Sequence, residues 1–228
     1  MVSNHLSNQK YFPPPEGNWD RFDALSTRNF QSAIDHALKN ESLLDRNIQK
    51  ALENRAFAEP PPWGDIIGKT RSREDPHGLI ILNGKVVAKW GDTQRPDITF
   101  SVAKSFLSIC AGLLQDDGLI PDFDAPISDL VNDGGFDSPH NKSITWRQMM
   151  QMTSEWQGSM WGKPDQVDHN RDLSVAPKDN AHKGNERVLK SPGSHWEYND
   201  VRVNRLALAL LRVAERPLPD LLCERIMD

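Results

Sequence analysis

The sequence predicts an α+β fold, mostly helical with one β-hairpin, and two observations support this prediction. The stretch HGLIILNGKVVAKWGD holds two β-prone runs separated by Asn83 and Gly84, the dipeptide that best supports a two-residue hairpin turn. Elsewhere apolar residues recur at the three-to-four spacing of an amphipathic helix. The clearest such set is Phe106, Ile109, Cys110, Leu113 and Leu114.

Length and charge restrict the classes of function. The chain has 228 residues, of which 37 % are hydrophobic, and this suffices to bury a core in one large domain or two small ones. Its formal net charge is -5 and no long run of Lys or Arg occurs. The sequence therefore lacks the electrostatic signature of a protein that binds nucleic acid or an anionic membrane. A small, neutral or mixed-charge ligand is the expected partner.

The N-terminal segment and the cysteines indicate the compartment. MVSNHLSNQKYFPPPEGNWD lacks the basic start and the continuous apolar stretch of a signal peptide, and no apolar run reaches the length of about eighteen residues that spans a membrane. We therefore expect a soluble, cytoplasmic protein. The only two cysteines are Cys110 and Cys223, which predicts two buried thiols in a reducing compartment, with a disulfide between them as the minor alternative.

The N-terminal part of the chain is predicted as an arm, two helices, a loop and the hairpin. Residues 1 to about 20 are polar and proline-rich, and helical spacing follows in NFQSAIDHALKN and LLDRNIQKALENRAF. AEPPPWGD, residues 58–65, breaks the helical pattern and predicts a loop. We assign the arm and helices to residues 1–60 and the hairpin region to 61–97.

The rest of the chain, residues 98–228, is predicted as a helical domain. One helix is expected from about Ser101 to Gln115, ended by Asp117-Gly118, and a short helix in ITWRQMMQMTSEW. A loop-like stretch from about 158 to 192 separates these from a strongly apolar helix in YNDVRVNRLALALLRVAE.

A serine and a lysine three residues apart, Ser101 and Lys104, stand at the start of the helix. Residues i and i+3 share a helix face, and the free N–H groups of a first turn can polarise an oxyanion. A lysine against an apolar wall loses its charge more easily than in water, so Lys104 could accept the serine proton. The spacing alone is weak evidence, because Ser7 and Lys10 in the arm match it too.

Four ordered motifs give this pair a context. They are FSVAKSF, GLLQDDGLIPDFDAPISDL, ITWRQMMQMTSEW and SPGSHWEYNDVRVNRLALALL. In order and spacing they resemble the serine β-lactamase and penicillin-binding-protein superfamily. They are most similar to its class C-like branch of class C β-lactamases, family VIII carboxylesterases, D-aminopeptidases and related amide hydrolases. The resemblance spans about residues 64–228 and implies a β-lactamase/transpeptidase-like fold, in which helices flank an antiparallel sheet and a helical domain adjoins it.

The resemblance implies three catalytic residues. Ser101 corresponds to the acylated nucleophile, Lys104 to its activating neighbour and Tyr198 to the second acid/base. A tyrosine serves as a base only if a nearby cationic lysine lowers its pKa, so Lys104 and Tyr198 act as a coupled pair. Which of the two is the base stays open, and we favour Tyr198 with Lys104 cationic. No cofactor is implied.

The two residues that follow Tyr198 bear on how the family motif works in this chain. The third position of the Tyr-x-Asn motif is Asp200 here, with Asn199 between. An aspartate near Lys104 favours the ammonium form, whereas the usual asparagine can donate to a substrate carbonyl. An equal alternative is that Asp200 is the N-cap of the following helix. Both residues are candidates for substrate binding or support.

Further departures concern the pocket. The family's HTSG helix end is MTSEW here, so Trp156, together with Trp161, is a candidate for lining an apolar acyl or aryl pocket, with a core or loop role as the alternative. Asp165, Asp168 and His169 have the residue types of a metal site but no known ligand spacing, so no metal is expected.

The resemblance also implies a closing strand with a Lys-Thr-Gly or His-x-Gly triad, and no such triad follows Tyr198 in this sequence. We therefore expect the chain to be the N-terminal portion of a longer or cleaved protein, or a truncated product. Its expected partner is a C-terminal half or second chain that covers the hairpin edge.

The expected function is hydrolysis of a small ester or amide through acylation of Ser101, and this activity is expected to need the missing C-terminal half. A cytoplasmic location favours a small-molecule esterase or amidase over a cell-wall peptidase. The competing interpretation is a non-catalytic binding or scaffold domain that keeps the β-lactamase-like fold. Asp200 and the missing strand favour that interpretation, whereas Ser101, Lys104 and Tyr198 oppose it.

Overall fold

The structure is a computed structural model. It describes residues 28–54, 56, 59, 62–65, 68–82 and 85–227. The predicted arm with Ser7 and Lys10, and the Asn83-Gly84 turn, lie outside the described residues. The chain divides into two compact units, Met1–Ala51 with Thr70–Ile98 and Leu52–Lys69 with Thr99–Asp228.

The first unit contains a helix and the predicted hairpin. Helix α1 is Arg28–Lys39, and strands β1 (Gly78–Leu82) and β2 (Lys85–Trp90) pair in antiparallel register with an irregularity after Ile80. Among the described residues of this unit, the core cluster is small. It consists of Ile34 and Ala88, with Phe30, Ile80, Val87 and Trp90 packed against them.

Helix α2, Ile48–Glu53, is shorter than the helical stretch predicted there. The side chain of Asn47 accepts a hydrogen bond from the backbone N–H of Lys50 at 3.2 Å. This side-chain acceptor satisfies a first-turn donor and explains why the helix begins after Asn47.

Helix α3, Ala103–Asp116, follows a 3-10 turn at Phe100–Val102. Its inward face buries Cys110, Ala111, Leu113 and Leu114, but Ile109, predicted to belong to that face, is 39 % exposed. The helix ends where predicted, because Gly118 adopts a φ of 74°, a left-handed conformation that favours glycine.

Helix α4, Trp146–Met150, begins with a capping box. The Thr145 hydroxyl accepts from the backbone N–H of Gln148, and the Gln148 side chain accepts from the backbone N–H of Thr145. These reciprocal bonds satisfy two donors that the helix itself cannot. Met149 on this helix is buried in the core.

A second, very short hairpin interrupts the stretch predicted as a loop. Strands β3 (Ser159–Met160) and β4 (Lys163–Pro164) pair antiparallel. The turn between them contains Gly162 at a φ of 80°. Two residues per strand are too few to show the alternation of apolar and polar residues that predicts a strand, so this hairpin could not be predicted from the sequence.

Helices α5 (Asp200–Ala214) and α6 (Leu218–Leu222) complete the second unit. Its core brings together apolar residues of α3, α4, α5 and α6 with those of the intervening loops. The largest fully buried side chains of this core are Trp146, Phe136, Leu114, Ile120, Ile127, Ile144 and Leu210.

Two expectations about location and thiols can be compared with the structure. Cys110 is buried, Cys223 is exposed, and no disulfide joins the two, so the prediction of two buried thiols is wrong for Cys223. Within the part of the chain that the structure describes, no helix is both long enough and apolar enough to cross a membrane.

Candidate active site

Ser101 lies in the 3-10 turn that leads into α3. The residue before it, Phe100, has a φ of 46°, a left-handed conformation that is uncommon for a bulky side chain. Such strained residues cluster at functional sites. The backbone therefore turns sharply at the residue that precedes the candidate nucleophile.

Lys104 and Tyr198 both converge on Ser101. The Lys104 ammonium donates to Ser101 Oγ at 3.1 Å, and the Tyr198 hydroxyl donates to the same oxygen at 2.6 Å. Lys104 Nζ also lies 4.9 Å from the centroid of the Tyr198 ring. Residues that are 97 positions apart in the chain thus meet on one serine oxygen, as a nucleophile and its proton-transfer groups require.

Asp200 pairs with Lys104 through a distance of 2.6 Å between Oδ1 and Nζ. Burial alone would lower the pKa of Lys104, but its hydrogen bonds with Asp200 and Tyr198 outweigh burial and raise the pKa above its ordinary value. The aspartate therefore stabilises the ammonium form of Lys104.

Asp200 also pairs with Arg171, a residue that the sequence analysis did not identify. Arg171 Nη1 lies 2.8 Å from Asp200 Oδ2 and 3.4 Å from Asp168 Oδ1, and the guanidinium carbon stands 4.8 Å from the centroid of the Tyr198 ring. Burial acts to raise the pKa of Asp200, but the hydrogen bonds from Lys104 and Arg171 dominate and lower it. The carboxylate of Asp200 is thus shared between two cations.

Asn199, not Asp200, is the N-cap of α5. Its side-chain oxygen accepts from the backbone N–H of Arg202 at 3.1 Å, and its amide donates to the backbone oxygen of Asp165 at 2.8 Å. Asn199 is buried. These two hydrogen bonds fix the backbone directly after Tyr198. The alternative in which Asp200 is the N-cap is therefore wrong.

The two tryptophans proposed for an apolar pocket lie in different environments. Trp156 is 2 % exposed and donates its indole N–H to the backbone oxygen of Gly135 at 2.7 Å, so it packs in the core. Trp161 is 74 % exposed. Both border a surface cavity of about 590 Å³ whose lining includes Asp133, Arg205 and Arg212.

The acidic residues of DQVDHN form ion pairs. Asp165 pairs with Arg202 and hydrogen-bonds with the His169 ring, and Asp168 pairs with Lys183 at 3.2 Å. Burial raises the pKa of Asp168. Among the described residues, no cluster of three or more His, Cys, Asp or Glu side chains could hold a metal ion.

Glu155 connects the end of the α4 segment to α5 and to the loop before it. Its side chain is fully buried and pairs with Arg187 at 2.7 Å and Arg202 at 2.9 Å, and it accepts from the backbone N–H of Lys190. Burial opposes ionisation, but these partners lower the pKa of Glu155 to about 2. The sequence analysis noted Glu155 only as a departure from the family motif, because its partners lie at least 32 residues away in the chain.

A comparison with protein-family models matches residues 79–228 to the beta-lactamase family, which is well over half of the chain. The chain belongs to the beta-lactamase family. The resemblance to the serine β-lactamase and penicillin-binding-protein superfamily is thereby confirmed, and so is the predicted fold class of helices with a small antiparallel sheet.

Comparisons with individual proteins add little to the beta-lactamase assignment. A D-stereospecific amidohydrolase from Streptomyces sp. is similar over 56 % of this chain, with 22 % identity and a TM-score of 0.40. The chain spans 40 % of the length of that structure. No curated protein matches significantly.

Proposed function

We propose that this chain carries the nucleophile and the proton-transfer groups of a serine hydrolase that acts on a small ester or amide. The observation that supports this proposal is the convergence of Lys104 Nζ and Tyr198 Oη on Ser101 Oγ, at 3.1 Å and 2.6 Å. Membership of the beta-lactamase family makes a hydrolase the expected class of enzyme.

The proposed reaction proceeds in two steps. Tyr198 takes the proton of Ser101 as Oγ attacks the substrate carbonyl, and the same proton passes to the departing alcohol or amine as the acyl-serine forms. A water molecule then attacks the acyl carbon, gives its proton through the same group to Oγ, and releases the carboxylic acid. Lys104, held as an ammonium by Asp200, stabilises the phenolate form of Tyr198 before it takes each proton and again after it has passed that proton on.

The experiment is covalent labelling of the protein with a fluorophosphonate, followed by intact mass and peptide mapping. One adduct is expected, on Ser101. Ser105→Ala is the matched control, because Ser105 is an exposed serine on α3 in the same segment of the chain. It should label like the wild type, whereas Ser101→Ala should not label.

Two results would contradict the proposal. An adduct that persists in Ser101→Ala would place the nucleophile elsewhere. A wild-type protein that neither labels nor turns over p-nitrophenyl esters when its expected C-terminal half is present would favour the alternative of a non-catalytic binding or scaffold domain.

A further inference from the structure

Arg171 stands between the candidate active site and a buried set of charges. It contacts Asp200 on one side and Asp168 on the other, at 2.8 Å and 3.4 Å. Asp168 is fully buried and pairs with the buried Lys183, which pairs in turn with Glu59 at 2.7 Å. We call the series Lys104, Asp200, Arg171, Asp168, Lys183 and Glu59 the ion-pair line.

The line alternates in sign, and Arg171 is the link that joins its exposed part to its buried part. The side chain of Asp168 also accepts from the backbone N–H of Asp200 at 2.8 Å. The first residue of α5 is thus tied to Asp168 through its backbone and, through Arg171, by its side chain. Two such links hold the Asp200 carboxylate in one orientation.

Arg171 limits how strongly Asp200 holds the proton on Lys104. Asp200 Oδ1 faces Lys104 and Oδ2 faces Arg171, so a single negative charge serves two cations. Without the guanidinium, the whole carboxylate charge would act on Lys104, and a repelling positive charge would be gone. Both changes favour the ammonium form of Lys104.

Arg171 also acts on Tyr198. Its guanidinium and the Lys104 ammonium lie 4.8 Å and 4.9 Å from the ring centroid. Cations at this distance are attracted to the ring and restrict its position. A cation beside a base favours the proton-free form of that base, whether the base is Tyr198 or Lys104.

We propose that Arg171 is a positioning residue of the acyl-transfer site, which orients Asp200 and Tyr198 and shares the Asp200 carboxylate with Lys104. The kinetic test of this inference rests on the proposed function, whereas the effect of Arg171 on Lys104 does not. Arg171 acts on Ser101 through its neighbours, so its effect should appear in the pH dependence of acylation.

The kinetic test measures the rate constant of Ser101 phosphonylation by a fluorophosphonate, in which Oγ displaces fluoride from phosphorus, between pH 5 and pH 10. In Arg171→Gln, the acid limb of the profile should move to higher pH by about one unit, which corresponds to about a tenfold loss of rate on that limb. Arg171→Lys should restore most of the limb's position, because it returns the positive charge. Arg147→Gln is the matched control, since it makes the same change in an exposed pair with Asp124, and its profile should equal that of the wild type.

A second measurement does not depend on the reaction. The pKa of Lys104 is followed by NMR with ¹³Cε-labelled lysine, using Lys104→Met to assign its signal. Arg171→Gln should raise the pKa of Lys104 further, because Asp200 is then left to Lys104 alone. If wild-type Ser101 is inert but this shift occurs, the proposed function fails and the coupling stands.

The inference is overturned by either of two outcomes. One is a phosphonylation rate that falls by the same factor at every pH in Arg171→Gln while the acid limb keeps its wild-type position. That result would indicate a merely structural role. The other is an unchanged titration of Lys104 in Arg171→Gln.

Discussion

Asp200 takes the place of an asparagine in the motif that the sequence resembles, and it changes the properties of Lys104. Its carboxylate lies 2.6 Å from the ammonium and raises the pKa of Lys104. A lysine held in its cationic form is a poor general base and a good electrostatic partner for a developing phenolate. This arrangement favours Tyr198 as the base.

Asp200→Asn tests that assignment. Removing the carboxylate should lower the pKa of Lys104, so the ammonium is lost at a lower pH. If Tyr198 is the base and needs that cation, the alkaline limb of the pH profile of Ser101 phosphonylation should move to lower pH. The profile is measured with the fluorophosphonate, and the pKa of Lys104 by ¹³C NMR.

The opposite kinetic outcome would reassign the base. If Asp200→Asn accelerated acylation at neutral pH while the pKa of Lys104 fell, the neutral amine would be the group that takes the serine proton. Asp124→Asn, in an exposed pair with Arg147, controls for the charge change and should leave both measurements unaffected.

Among the elements of the second unit, the segment after α4 and helix α5 are joined by Glu155. Glu155 is fully buried, adopts a φ of 50° and bonds to Arg187 and Arg202. A buried carboxylate of this kind contributes to stability only while its partners compensate for its lost hydration. The candidate site depends on this link because α5 begins at Asp200, directly after Tyr198.

Glu155→Gln should destabilise the protein by roughly 3 kcal/mol at pH 7, the low end for breaking a buried pair, because the buried Arg202 and the partly buried Arg187 each lose one of their carboxylate partners. In the wild type the pKa of Glu155 is lowered from 4.5 to about 2. Its stabilisation is therefore present above about pH 4.5 and is lost as the pH falls towards 2. Urea unfolding followed by tryptophan fluorescence should show that the difference in free energy of unfolding between wild type and variant becomes smaller over that pH range.

A difference in free energy of unfolding that stays constant from pH 7 to pH 3 would contradict this account of Glu155. The exposed pair of Asp124 and Arg147 provides the comparison, since exposed pairs contribute about 0–1 kcal/mol. Asp124→Asn should therefore have a small effect at pH 7.

The extent to which each element could be predicted depends on how local its signal is. Helices α3 to α5 follow from periodicity over a few turns, and the hairpin strands from two β-prone runs around Asn83-Gly84. The pair Ser101 and Lys104 needed the four motifs as well as its spacing. Tyr198 was found through its motif. The roles of Arg171 and Glu155 could not be predicted from the sequence, because their partners lie far away in the chain. The sequence around each residue also lacks the periodic pattern of a helix or a strand.

At the scale of the whole molecule, the two units differ in the size of their cores. The first unit buries Ile34 and Ala88 with a few partly covered neighbours, whereas the second buries large side chains from four helices. Leu79, Ile81 and Leu82 of β1 are about half exposed. Local stability increases with buried apolar contacts, and a two-stranded sheet alone is marginal.

Hydrogen–deuterium exchange should reveal this difference. Amides of 78–90 are expected to exchange well before those of 103–116 and 200–214. The partner predicted from the sequence, a C-terminal segment or a second chain, stays a prediction; a strand from it would protect 78–90 and leave 200–214 unchanged. Equal protection of the hairpin and α5 in the chain alone would contradict the expected order.

The ion-pair line restricts how this sequence can diverge. A single change at Lys183 removes the cation that Asp168 and Glu59 share and leaves an excess of negative charge in the buried part of the line, whereas replacing Lys183 and Glu59 together by apolar residues of similar volume removes one charge of each sign. Mutational drift at these positions should therefore proceed by paired exchanges. Relatives of this protein that have lost Lys183 should have lost the acidic residue at position 59 as well.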